Sequence, residues 1–423
     1  MVIQQSGTES RPTLGIRAID EEDLSGWSRA VHTGFLRSDA PDGTEWRRLS
    51  FEPGRTLGAY DGDRCVATFR SFTTELTVPG GAVVPANAVT SVTVTATHRR
   101  RGLLTGMMTR DLAAAAERGE AVAILIAAEY AIYGRYGFGP ATQRLGLDID
   151  LGHAGGLRPV PAPDGGRIDL ATMAEVRELG PELFDRFRRS QPGAIERRPE
   201  DWRVRTGDLS IPGFDWKEPF AALHRDADGR VTGMLVYRVS EDWNGGLPDC
   251  PLTVADHVAA DRAAAAALWR FAFSVDWVQH VKIKNIAPDD PLPLLLNNPR
   301  AARPTQDGGD FLWARVLDVA AAFGARSYGA PGRVVFEVAD RAGYAEGRWA
   351  LETAADGSGI CTRTGDPADL ALDVSALSSL YLGGETVPRL VAAGLVRELV
   401  PGAAARADLT LRTPLRPWCP DSF

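Results

Sequence analysis

The sequence predicts an α+β fold laid out in three successive parts. Three observations point to it. Short strand-like runs alternate with amphipathic helical stretches. That order is met once in the first third of the chain and again, more weakly, in the second. Two loops rich in Pro and Gly, near 151–166 and 291–310, separate the parts. With 423 residues and roughly 150 residues per domain, three domains fit: 1–155, 156–303 and 304–423.

The elements are read in order. A polar lead-in (MVIQQSGTESRP) is expected to be disordered, and it carries no apolar core that would make it a signal peptide. LGIRAID reads as a strand and EEDLSGWSRAVHTGFL as an amphipathic helix. TLGAYDG, RCVATFRSFTTELTV and AVVPANAVTSVTVTA read as strands, RGLLTGMMTRDLAAAAERG as a helix, and AVAILIAA as a buried strand. In the second part, helical MAEVRELGPELFDRFRRS precedes strands AALHRDADG and VTGMLVYRVS. PLTVADHVAA and the alanine-rich helix DRAAAAALWRFAFSV follow. The third part is read as a helix over FLWARVLDVAAAFGA, a hairpin from GRVVFEVAD and GRWALETAADG, a helix over LDVSALSSLYLGG, and a strand over ADLTLRTP.

Composition narrows the function. The net charge of −8 argues against nucleic acid as the main partner, because phosphate binding needs a basic face. No apolar run is long enough to span a membrane. Four scattered cysteines without a CxxC, and six scattered histidines, spell out no metal site. A reducing, cytoplasmic setting is the expectation.

The stretch with chemical content is VTSVTVTATHRRRGLLT, residues 89–105. Val89, Val92 and Val94 do not keep one period-2 phase. The slip between Ser91 and Val92 is the trace of a β-bulge, which frees a backbone group for a ligand. Arg99, Arg100, Arg101 and Gly102 follow, then a helix with an apolar stripe of Leu103, Leu104, Met107, Met108 and Leu112. A helix start offers free N–H groups and the positive end of the dipole. Glycine there lets a diphosphate approach the backbone, and arginine adds bidentate contacts.

This order resembles motif A of the Gcn5-related N-acetyltransferases (GNAT), whose loop reads Gln/Arg-x-x-Gly-x-Gly/Ala. Here it is Arg99-Arg100-Arg101-Gly102-Leu103-Leu104, with Leu at the last position. HRRRGLL together with AEYAIYGRYGFGPAT is similar to the enhanced intracellular survival (Eis) type of that family, in which this departure is normal. The resemblance covers the whole chain. It implies an active acetyltransferase domain, a degenerate second one, and a sterol-carrier-like C-terminal domain that FLWARVLDVAAAFGARSYG also resembles. Between PLTVADHVAA and its helix there is no Arg-x-x-Gly, so the second repeat has no diphosphate cradle.

What the resemblance implies for the site can be placed residue by residue. Acetyl-CoA would lie along Val92, Thr93 and Val94, on Arg100, Arg101, Gly102, Leu103, Leu104 and Thr105, and at Ala128 and Glu129. Tyr133 of the Ile-Tyr-Gly-Arg run would be the general acid. A phenol, with a reference pKa near 10, can protonate a departing thiolate of about 8.5. The ending TPLRPWCPDSF carries Pro417, Trp418, Pro420 and Phe423, which suits either a tail packed for stability or one that places its carboxylate. The resemblance implies the second, with the Phe423 carboxylate as general base. It also matches Trp46 to a cavity-lining tryptophan. With the acidic stretch Asp39, Asp42 and Glu45, and with Asp421, this suits a polycationic amine. Aminoglycosides acetylated with broad regiospecificity and a homohexamer are the remaining implications. A lysine or peptide acetyltransferase and a non-enzymatic lipid carrier are the rivals.

Overall fold

A computed structural model describes residues 14–37, 41, 43–159, 166–213 and 215–423. The polar lead-in, Asp39, Asp42 and part of the first Pro/Gly loop lie outside the described residues. The chain divides into two units: Met1–Phe72 with Val89–Ala115 and Ile211–Phe214, and Thr73–Ala88 with Ala116–Ser210 and Asp215–Phe423.

In the first unit, strand Gly15–Ala18 pairs antiparallel with Thr56–Asp61, which pairs antiparallel with the start of Arg64–Thr77. The helix Leu24–Gly34 lies on this ribbon. Its apolar spacing buries Leu24, Trp27, Ala30 and Val31 with Ile19 and Cys65. Trp27 is 1% exposed and donates its indole N–H to the Leu57 carbonyl at 2.8 Å, so its one polar atom is satisfied inside the core. Helix Leu103–Glu117 buries Leu103, Met107, Met108, Asp111 and Leu112. Asp111 stands on the apolar stripe because it accepts from the Ser71 hydroxyl at 2.5 Å.

The second unit holds three further sheets, one of them only the pair Trp243–Asn244 and Leu247–Pro248, and one strip of three strands. The strip runs Val122–Ile126, Leu312–Val316, Gly139–Pro140, all antiparallel. The larger sheet is ordered Ala302–Pro304, Gln143–Asp150, Val278–Ile286, Cys250–Ala259, Val231–Val239, Phe220–Arg225, Arg167–Ala171. Its parallel pair, Cys250–Ala259 with Val278–Ile286, is joined across helix Arg262–Phe273, the handed βαβ connection. Helix Met173–Arg188 starts at a capping box of Thr172 and Glu175 and buries Val176, Leu183 and Phe184 against Leu223, Met234 and Val258. The last sheet is Gly359–Arg363, Gly347–Thr353, Gly332–Ala339, Leu370–Asp373, Val396–Glu398. Among its helices, Val319–Ala325 and Val374–Tyr381 bury Phe323, Leu377 and Tyr381.

Two elements differ from the sequence reading. FLWARVLDVAAAFGA is not one helix: Leu312–Val316 is a fully buried strand, and only Val319–Ala325 is helical, capped by Asp318. Arg315 lies inside that strand, 0% exposed, because Asp340 accepts from it at 2.8 and 2.7 Å. ADLTLRTP is not a strand. Its first half is the end of helix Ala403–Leu411, which the preceding alanines nucleate. No helix among the described residues is long and apolar enough to cross a membrane.

Candidate active site

The loop residues are gathered in the first unit. The strand Val83–Val94 breaks its extended course at Ser91, whose φ of +52° is left-handed. This is where the apolar phase slips. Beyond the break Thr93 turns inward, 6% exposed, and its hydroxyl shares a 2.7 Å hydrogen bond with that of Thr68. The Thr68 hydroxyl also lies 2.8 Å from the Ser91 carbonyl as a donor. Val92 and Val94, the apolar neighbours, are only half-buried. The reason is close approach: a Cβ on Gly34 would come within 2.3 Å of the Thr93 Cβ, so helix and strand meet there without room for a larger residue.

Next come His98 and the arginines. His98 is 4% exposed and spent locally, with one ring nitrogen 2.8 Å from Thr97 Oγ1 and the other 3.1 Å from Asp61 Oδ2. It is a loop residue rather than a base. Arg100 and Arg101 are exposed, and no acidic side chain among the described residues pairs with them. Arg100 at φ +64° and Gly102 at φ +77° are both left-handed, so the backbone turns sharply into helix Leu103–Glu117. A Cβ built on Gly102 meets nothing within 4 Å. Open space in front of a helix start, with guanidinium groups beside it, fits a diphosphate. Leu103 is buried, Leu104 half-buried and Thr105 exposed on the first turn.

Trp46 sits in the short helix Thr44–Leu49, half-buried. Nearby Glu45 pairs with Arg48 at 2.5 Å, so its charge is partly used. Asp39 and Asp42 lie outside the described residues.

The second unit holds the remaining candidates. Ala128 and Glu129 are exposed at the end of strand Val122–Ile126, where Glu129 begins helix Tyr130–Tyr133. Tyr133 is 7% exposed and meets Phe138 edge-to-face at 6.3 Å. Burial, then the charge of Glu129 and the neighbouring Tyr136, push its phenol above the ordinary value. The phenol therefore stays protonated and able to donate.

The tail is held residue by residue. The Trp418 N–H donates to the Pro192 carbonyl at 2.8 Å, and its indole N–H to Asn285 Oδ1 at 2.6 Å. The Asn285 amide returns hydrogen bonds to the carbonyls of Cys419 (3.0 Å) and Pro420 (3.2 Å). Asp421 is 4% exposed and accepts from Arg197 Nε at 2.9 Å and from Arg205. Its charge faces two arginines. Phe423 is half-buried. Arg197, Arg205, Asp256 and Asn285 were not foreseen: each acts across long sequence separations and carries no local motif.

Helix Arg262–Phe273 begins with Asp261, whose carboxylate accepts from the Ala264 N–H at 2.8 Å. That carboxylate caps the first turn of the helix.

A strand broken at a left-handed Ser91, an Arg/Gly turn into a helix and a buried tyrosine after the next strand are the features of a GNAT acetyltransferase. Models of the acetyltransferase (GNAT) domain match residues 15–141 and 193–316, and a model of the sterol carrier protein domain matches 319–420. More narrowly, the chain belongs to the Eis-type N-acetyltransferases. It is 34% identical to N-acetyltransferase Eis of Mycobacterium tuberculosis over 91% of this chain and 93% of that protein. An uncharacterized N-acetyltransferase of Streptomyces avermitilis is 49% identical over 98% of this chain and 100% of its own. The crystal structure of Eis1 from Mycobacterium abscessus is similar at TM-score 0.85 and 33% identity, over 97% of this chain and all of that one. The chain is thus an N-acetyltransferase with two GNAT domains and a sterol-carrier-like domain.

Proposed function

We propose that the enzyme acetylates amines of polycationic substrates, aminoglycosides among them, with acetyl-CoA as donor, Tyr133 as general acid and the Phe423 carboxylate as general base. The observation that carries this reading is the tail: residues 418–421 are each tied to the body of the second unit, which gives the chain end a defined place.

Acetyl-CoA, when bound, supplies an activated acetyl thioester. Gly102, with Arg100, Arg101 and the first turn of helix Leu103–Glu117, would hold its diphosphate, and Val92–Val94 would offer backbone groups beside Ser91. Tyr133 donates a proton to the leaving sulfur, since its raised pKa keeps it in the acid form. The Phe423 carboxylate first attracts the ammonium group and then accepts its proton. A free α-carboxyl near 3.5 is a weak base in water. Trp46 and acidic side chains such as Asp39 would line the amine side. A homohexameric assembly is part of the same reading.

The test is thiol release from acetyl-CoA against a panel of aminoglycosides, polyamines and lysine peptides. Turnover highest on aminoglycosides supports the reading. Turnover confined to lysine peptides replaces the substrate, and no thiol release with any amine overturns it.

A further inference from the structure

Within strand Val83–Val94, Ser91 holds a left-handed backbone, φ +52°, although it is not glycine. Such a conformation is strained for an L-residue and persists only where the surroundings over-determine it. Here a single buried hydroxyl does most of the holding. Thr68, in strand Arg64–Thr77, is 0% exposed and donates to the Ser91 carbonyl at 2.8 Å. Its oxygen also lies 2.7 Å from the Thr93 hydroxyl. A hydroxyl has one proton, and a carbonyl can only accept. The Thr68 proton is therefore committed to Ser91, and in the second bond Thr93 donates to Thr68. The result is a directed chain, Thr93 to Thr68 to Ser91, that spans the break in the strand.

Two further contacts fix the segment after the break. The Thr95 N–H and hydroxyl both donate to the Val66 carbonyl, at 2.9 and 2.8 Å. Gly34 packs against Thr93 so closely that an added Cβ would fall 2.3 Å from the Thr93 Cβ and 2.6 Å from its Oγ1. Thr93 and Thr95 thus spend their side chains on this inner side. Val92 and Val94 alternate with them along the strand and are half-buried. None of these bonds involves Arg100, Arg101 or Gly102.

We propose that Thr68 is a positioning residue for the cofactor: its hydroxyl sets the course of Val92–Val94, along which the amide-bearing arm of acetyl-CoA lies. This rests on the reading that acetyl-CoA runs along Val92–Val94 with its diphosphate at the Arg100–Gly102 turn. Thr68 is fully buried and does not touch the cofactor. It acts through Ser91 and Thr93. Without the hydroxyl, the Ser91 carbonyl loses its donor and the backbone relaxes toward ordinary extended geometry, which shifts residues 92–94 relative to the turn.

The experiment uses full-length wild-type, Thr68→Val and Thr68→Ser proteins. Valine keeps the shape and removes the hydroxyl, and serine keeps the hydroxyl. Two ligands are titrated calorimetrically at a temperature where each protein is folded. One is acetyl-CoA, and the other is the phosphoadenosine diphosphate portion of CoA, which meets the turn but has no arm. The ratio of the two affinities measures what the arm contributes. The proposal predicts that Thr68→Val lowers this ratio about tenfold, roughly the worth of one hydrogen bond. Affinity for the nucleotide portion stays within about twofold of wild type, and Thr68→Ser keeps the ratio within about threefold. A merely structural role would lower the melting temperature and leave the ratio unchanged. An unchanged ratio in Thr68→Val, equal losses for both ligands, or a serine variant as weak as the valine one overturns the proposal. If Thr68→Val does not fold, Thr68→Ala is judged on the same criteria. If the wild-type protein binds the two ligands equally, the arm does not lie on Val92–Val94, and that reading falls with the proposal. The wild-type ratio alone thus tells the two failures apart.

Discussion

Gly102 is where a single atom tests the diphosphate cradle. Its φ of +77° is left-handed, and a Cβ there would meet nothing within 4 Å. Gly102→Ala therefore costs conformational strain only, about 1–2 kcal/mol for an L-residue in this region. In a domain of this size that lowers the melting temperature by roughly 2–8 °C. Gly102→Asp carries the same strain and adds a negative charge in front of the helix start. Like charges near a protein surface repel by about 4 kcal/mol at 4 Å, and exposure and salt reduce this. Taking half, about 2 kcal/mol, gives a CoA affinity some 30-fold weaker. The assay is calorimetric titration of CoA into wild type, Gly102→Ala and Gly102→Asp at low and moderate salt, with melting curves in parallel. The Asp-minus-Ala difference isolates the charge, and it should shrink as salt rises. If both variants melt alike and Gly102→Asp binds CoA within twofold of Gly102→Ala, the phosphates do not lie at this turn.

Other consequences are open to measurement. Tyr133→Phe keeps the ring packed on Phe138 and should lower kcat by about 10²-fold or more at unchanged CoA affinity; near-normal turnover would remove Tyr133 from proton transfer. Titration should find one CoA per chain, since no Arg-x-x-Gly precedes the corresponding helix of the second repeat, and two sites would contradict this. His257 is half-buried with its ring stacked on Trp269, 4.3 Å between ring centroids, and desolvation there pushes its pKa down to about 4. The unfolded chain binds that proton near 6.5, so stability should fall as pH drops from about 6.5 to about 4. His257→Phe, which can stack on the same ring, should flatten that part of the stability curve; an unchanged slope would assign it elsewhere.

Much of the fold was legible because local pattern and tertiary role agree. The spacing in RGLLTGMMTRDLAAAAERG marks a helix whose buried face follows its own period, and RCVATFRSFTTELTV reads as a strand although it is buried at nearly every position rather than on one face. The phase slip between Ser91 and Val92 falls where Ser91 takes a positive φ. FLWARVLDVAAAFGA misled because Leu312, Val316, Val319 and Phe323 are spaced like a helix face, while the strand Leu312–Val316 is buried on both faces. The arginine that strand hides could be buried only because Asp340, 25 residues away, meets it. ADLTLRTP alternates, yet Leu409 is 54% exposed and the alanine run before it carries the helix through. At the candidate site, the Arg/Gly turn is contiguous in sequence and so could be read. The tail holders are not: Arg197, Asp256 and Asn285 lie between 134 and 224 residues from, or act only through, the segment they fix.

The central claim is that the chain end does chemistry, and one set of chains tests it. Turnover and melting temperature are measured on the native chain, on a chain lacking Phe423, and on a chain extended beyond Phe423. Shortening retracts the carboxylate by up to about 3.6 Å, and extension replaces it with a neutral amide. Proton transfer needs about 3 Å or one bridging water, so both changed chains should remain folded and lose turnover by about 10²-fold or more. An extended chain that melts like the native one and turns over at the native rate would contradict the account.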